Sequence, residues 1–142
     1  MDLRISINRR RIGVTINIIA LFLLVLVFEL IKFEVGISKV LGISLIGFVL
    51  IVLIASFIYV FVYTGAWNMS HQKTGKLDER QIQVVLNAIR YSYSIFIIFT
   101  LIIIYGFALL EKGPVDVVIA AALLYMAHIL PASVLAWTEK EL

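Results

Sequence analysis

Four stretches of the chain, residues 12–28, 40–72, 91–110 and 117–138, contain no Asp, Glu, Lys or Arg and are dominated by Ile, Leu, Val, Phe and Ala. A helix needs about 20 mostly apolar residues to cross the hydrocarbon core of a bilayer. The last three stretches reach that length, and the first does so when it continues past Glu29 to Ile31. The chain has 142 residues and is 63% hydrophobic. A soluble domain is about half apolar at most, and one this small leaves a large share of its surface in water. The excess has to face lipid. The sequence therefore predicts an all-α polytopic membrane protein, a single domain over residues 1–142. Its four transmembrane helices, at approximately 12–31, 40–63, 91–110 and 115–137, are expected to form an antiparallel bundle. The third is expected to carry an extension that starts at residue 78.

The chain has no cysteine, which excludes a disulfide framework, a thiolate metal site and a cysteine nucleophile. The first apolar run is longer than the core of a secretion signal, and no small-residue cleavage site follows it, so it is read as a retained span.

The basic residues orient these spans. Arg4, Arg9, Arg10 and Arg11 precede the first span, Lys73, Lys76, Arg80 and Arg90 lie between the second and third, and Lys140 follows the fourth. With the N-terminus inside, nine of the twelve basic residues and all six arginines fall on one side of the membrane. That asymmetry matches the positive-inside rule. The expected location is the prokaryotic cytoplasmic membrane, with several passes and both termini cytoplasmic. The net charge of +3 is then read as orienting the chain and meeting anionic headgroups. The run Arg9–Arg10–Arg11 is taken as topological, and no nucleic acid partner is expected.

The segment between the second and third spans is the most informative. In Leu77-Asp78-Glu79-Arg80-Gln81-Ile82, Asp78 is a good N-cap and Gln81 stands where a capping box needs it. Leu77 and Ile82 are spaced for a hydrophobic staple, and Glu79 suits the positive end of the helix dipole. No Gly or Pro interrupts the sequence from there to Tyr105, so the third helix is expected to begin near Asp78 and project about three turns beyond the membrane. Ile82, Val85, Leu86 and Ile89 recur at helical spacing as an apolar stripe. Arg80, Gln83, Asn87, Arg90 and Ser94 form a polar stripe. Asp78, Glu79, Arg80, Gln83, Asn87 and Arg90 are the candidate contacts for a partner or ligand. Adjacent carboxylates do not share a helix face, so Asp78 and Glu79 are not read as a paired acid and base.

His128 and Asn17 are the candidate intramembrane polar site. An ionisable group inside a span is a functional hypothesis by default, and an imidazole can carry a proton. The competing reading is a neutral imidazole bonded to a neighbouring helix, through Asn17 or a serine of the second span. Pro131 frees the carbonyl of Ala127 and is expected to kink the fourth helix near His128. Glu29 and Lys32 are read as an ion pair at the end of the first span. Ser38, Gly42, Ser44, Gly47, Ala55 and Ser56 give the second span a small-residue face suited to close packing. His71, considered together with Asp78 and Glu79, fits no ligand spacing. Neither a metal site nor a cofactor is expected.

The sequences KLDERQ, before the third helix, and ILPASVLAWTE, closing the fourth, resemble a group of small uncharacterised prokaryotic four-span membrane proteins with a cytoplasmic Asp-Glu-Arg motif. The resemblance implies no activity. It implies only that Asp78, Glu79 and Arg80 act as a group.

With short loops and no catalytic constellation, the expected function is non-enzymatic: an accessory or interaction subunit of a membrane protein complex, in contact with the bilayer and with a membrane protein partner or its own copies. The alternative is a small oligomeric transporter or channel that uses the polar groups of spans one, three and four. The topology is directly testable. A cytoplasm-active reporter fused to the C-terminus is expected to be active, and a periplasm-active reporter inserted at Gly113 likewise. Reversal of both signals would refute the orientation.

Overall fold

The computed structural model describes residues 5–36, 38–110 and 114–139, together with the backbone but not the side chain of Thr74. Residues 111–113, between the third and fourth spans, and the charges at Arg4, Lys112 and Lys140 lie outside the described residues. Within them the chain is helical without strands: α1 (Ile7–Lys32), α2 (Lys39–Phe57), α3 (Ala66–His71), α4 (Glu79–Leu109) and α5 (Val117–Thr138). A π-helical turn, Ile58–Val62, prolongs α2, and a short 3₁₀ turn, Thr74–Lys76, precedes α4. With that turn included, the α2 span runs Lys39–Val62, and all four long helices are long and apolar enough to cross a membrane.

Local chemistry sets the helix starts. Asp78 accepts the backbone N–H of Gln81 at 2.7 Å, while the Gln81 side chain accepts the N–H of Asp78 at 3.1 Å. The capping box is therefore complete, and α4 begins where its sequence places it. Asp116 caps α5 through the N–H of Val118 at 2.7 Å, and Ser38 caps α2 through Leu41 at 3.3 Å. α5 continues as one helix through Pro131. The segment from Asn68 to Leu77, which joins the second and third spans, is partly ordered into α3. Gly65 makes this turn, with φ of +78° in the left-handed region where a side chain would be strained.

α1 and α5 form the centre. α2 packs on α1, α4 packs chiefly on α5, and α3 folds back against α5. One core cluster joins Val14 of α1, Val60 and Phe61 of the π turn, Ala66 of α3, Val85 and Ala88 of α4, and Ile129, Ala132, Leu135 and Ala136 of α5. A second joins Ala20 and Leu21 to Val49 and Leu53 and to Met126 and Leu130, with Phe96 and Phe99 of α4 against it. Phe22 and Phe99 meet edge to face at 5.5 Å.

Gly42 and Ser56 of the small-residue face of α2 are buried, while a Cβ on Gly47 would meet nothing within 4 Å, and a Cβ on Gly13 of α1 would clash with Val60 Cγ2. The Gly13 backbone is thus pressed directly on the fully buried Val60. Gly13→Ala is expected to lower stability by about 1–3 kcal/mol through overpacking, with most of the loss restored by adding Val60→Ala. Gly47→Ala is expected to be neutral or to raise stability by up to about 1 kcal/mol. Unfolding in mixed detergent micelles measures all three.

Candidate functional site

The polar side chains gather at four places, besides an ion pair at the far end of α1. The first is the end of the molecule that carries Arg9, Arg10 and Arg11. Arg10 donates from Nη2 to the carbonyl of Glu139 at 2.7 Å, and Arg11 donates from Nε to the carbonyl of Trp137 at 3.1 Å. The Trp137 carbonyl is among the last of α5 and Glu139 is its C-cap residue, so both oxygens lie at the end where carbonyls lack partners inside the helix and the dipole is negative. Arg11 also lies over the Trp137 ring, 5.5 Å from its centroid. Arg80 of α4 reaches the Glu139 carboxylate at 3.5 Å. Two arginines read from sequence as topological signals are therefore also capping groups, and Arg80 shares their target.

The second place is Asn17, which is fully buried. Its amide nitrogen donates to the carbonyl of Leu53 at 3.1 Å and to Ser56 Oγ at 2.9 Å. Its oxygen accepts from the Tyr125 hydroxyl at 3.2 Å. One side chain thereby joins α1, α2 and α5. His128 is not its partner. Ser56 and Tyr125 were not singled out as partners in the sequence, where nothing marks which span lies beside Asn17.

At the opposite end, Lys32 pairs with Asp116 at 2.5 Å, not with Glu29 as its helical spacing suggested. Asp116 offers one oxygen to the Val118 N–H and the other to Lys32. The Lys32 ammonium, followed by that backbone bond, holds the Asp116 carboxyl below the usual carboxylate range. Glu29 Oε1 is shielded from solvent without a hydrogen bond.

The third place is the α4 stripe. Gln83, Asn87 and Arg90 are all exposed, as are Asp78, Glu79 and Arg80. The side of α4 that packs is formed by Val85, Ala88 and Ser92. Of the expected apolar stripe only Val85 is buried, and Leu86 and Ile89 are 53% and 44% exposed. α4 stands away from α1 at this end, which leaves an apolar groove of about 560 Å³ over Leu130, Ser133 and Val134, flanked by Val14, Ile18, Tyr91 and Ile95.

The fourth place is where α3 meets α5. Trp67 stacks on His71 with ring centroids 4.0 Å apart and packs edge-on against His128 at 5.1 Å. Phe57 abuts the other edge of Trp67 at 5.1 Å. His71 and His128 lie 5.2 Å apart and both are exposed. Among the described residues, no three His, Cys, Asp or Glu side chains converge on a common metal position.

Compared with protein-family models, with curated proteins and with solved structures, the chain finds no match.

The Asn17 cluster makes a quantitative prediction. In helix bundles within detergent or lipid, one interhelical hydrogen bond contributes about 0.6 kcal/mol and at most about 1.7. Tyr125→Phe is expected to cost about 0.6 kcal/mol, and Asn17→Leu about 1–2 kcal/mol because it breaks bonds to two helices. The double variant is expected to be little worse than Asn17→Leu alone, since both remove the same bond. Micellar unfolding of the three variants provides the check.

Proposed function

We propose that the chain is a multi-pass protein of the prokaryotic cytoplasmic membrane, its four spans forming an antiparallel bundle with both termini cytoplasmic. We further propose that it acts as a non-enzymatic accessory subunit that docks on a membrane protein partner, or on its own copies, through α4. The observation that carries this reading is the unequal covering of the four helices. In the most apolar window of each span, 28% of residues are buried in α1 and in the α2 span and 33% in α5, but only 6% in α4. α4 is also the longest, with 31 residues. At 1.5 Å per residue that is about 46 Å, against a hydrocarbon core of about 30 Å, so roughly three turns extend beyond it.

The overhang carries Gln83, Asn87 and Arg90 on one exposed face. Polar side chains at the membrane boundary, on a helix otherwise free along most of its circumference, suit hydrogen bonding to a neighbouring protein. A transporter would instead use its polar groups to line a path. Asn17 is already engaged by Leu53, Ser56 and Tyr125, which favours the docking reading.

The absence of cysteine makes the test direct. Single cysteines introduced as Gln83→Cys, Asn87→Cys and Arg90→Cys, each carrying a photo-crosslinker, are expected to give one discrete adduct in native membranes. The yield is expected to exceed that of Ile43→Cys, on the exposed side of α2, by tenfold or more. The adduct mass distinguishes a partner protein from a second copy. Equal yields at all four positions, or ion flux through the purified protein in liposomes, would overturn the proposal.

A further inference from the structure

The chain has two histidines, and the fold brings them together. His71 ends α3 and His128 lies within α5. Their ring centroids are 5.2 Å apart and their planes are inclined by 56°. A shared cation would impose a similar separation. A metal–nitrogen bond of about 2.0–2.1 Å plus about 1.1 Å from nitrogen to ring centre gives an arm near 3.2 Å, and two such arms at a tetrahedral angle place the ring centres about 5.2 Å apart.

The hydrogen bonding of His71 fits the same role. Its Nδ1 lies 3.0 Å from the carbonyl oxygen of Trp67 and 2.9 Å from Ser70 Oγ. A carbonyl only accepts, so Nδ1 holds the proton in the neutral ring and Nε2 presents a lone pair. Metal-ligating histidines are characteristically oriented this way, with the second nitrogen donating to a backbone carbonyl. His128 makes no side-chain hydrogen bond among the described residues, which leaves its nitrogens available. Trp67, stacked on one ring and edge-on to the other, restrains both. Both imidazoles lie on the surface of the chain, so no packed side chain walls them off from an entering cation.

We infer that His71 and His128 form a two-imidazole site for a first-row divalent cation. Imidazole suits Cu²⁺, Ni²⁺ and Zn²⁺, and Cu²⁺ binds tightest at a given nitrogen site. A bound cation would bridge α3 to α5 and fix the chain segment that leads into α4. This inference does not depend on the docking role of α4.

The experiment uses the full-length purified protein carrying Trp137→Phe, so that Trp67 is the sole tryptophan. Cu²⁺ is titrated alone in a non-coordinating buffer at neutral pH while Trp67 emission is followed. Saturable quenching is expected, with the half-point raised at least tenfold in His71→Gln and at least tenfold in His128→Gln. Excess Zn²⁺ is expected to reverse it. Linear, unsaturable quenching, or a half-point unchanged by either substitution, would overturn the site and leave an aromatic contact only. A second readout covers a variant that fails to fold. Electron paramagnetic resonance of the Cu²⁺-loaded protein with both histidines intact is expected to show coupling to two imidazole nitrogens, and coupling to one or none refutes the site.

Discussion

Asn17 is the side chain on which the arrangement of the helices turns. In the bilayer that the chain is proposed to span, lipid tails are as apolar as leucine, so helices are not driven together by the hydrophobic effect. Close packing and interhelical hydrogen bonds hold them instead. The Asn17 amide satisfies both functions at once, donating to Leu53 and Ser56 of α2 and accepting from Tyr125 of α5. It is buried completely, and an amide left unpaired there would carry the full cost of desolvation. One turn away, Gly13 lets Val60 approach to a distance that no side chain would allow. Together these residues fix α2 and α5 against α1. The ends of the α1–α5 pair are then fastened by Arg10 and Arg11 on the last carbonyls of α5 and by Lys32 on Asp116.

The packing tightens toward the arginine end. Six of the eight buried residues of α5, Ile129, Leu130, Ala132, Ser133, Leu135 and Ala136, belong to its second half. The three buried residues of α4, Val85, Ala88 and Ser92, lie in its first half. From Ile95 onward α4 has no buried residue and touches the rest mainly through Phe96 and Phe99. Local opening follows the density of buried contacts. The molecule therefore has a firm end built from all five helices and a looser end held by α1, α2 and the Lys32–Asp116 pair.

What was legible in the sequence was local. The four charge-free runs announced four long helices because charge in a span is costly at any position. The start of α4 could be read to the residue because a capping box needs only neighbours three positions apart. The failures were of a different kind. Lys32 was assigned to Glu29 because the two share a helix face, but Asp116, far along the chain, supplies the stronger partner. The small residues of α2 pointed to close packing, and Gly42 and Ser56 are buried, but Gly13 of α1, pressed on Val60, was not singled out, since which glycine faces a neighbour depends on which helices adjoin. Asn17 was visible as a polar residue in an apolar run, but its partners Ser56 and Tyr125 were not, for the same reason.

The short helix α3 explains why so exposed a helix as α4 still has a defined position. A flexible connection after α2 would leave the start of α4 free to drift around α5. Gly65 instead turns the chain back, Ala66 is buried against the core, and Trp67 wedges between Phe57 and His128. Leu77 then packs on the same cluster immediately before the Asp78 cap. The connection is therefore anchored at both ends, and the first turns of α4 inherit that anchoring through Val85 and Ala88. A rod held firmly at one end and free along its outer face can present a fixed polar stripe without being buried itself. That combination requires the interior of the molecule to be closed elsewhere, which is the work of α1 and α5.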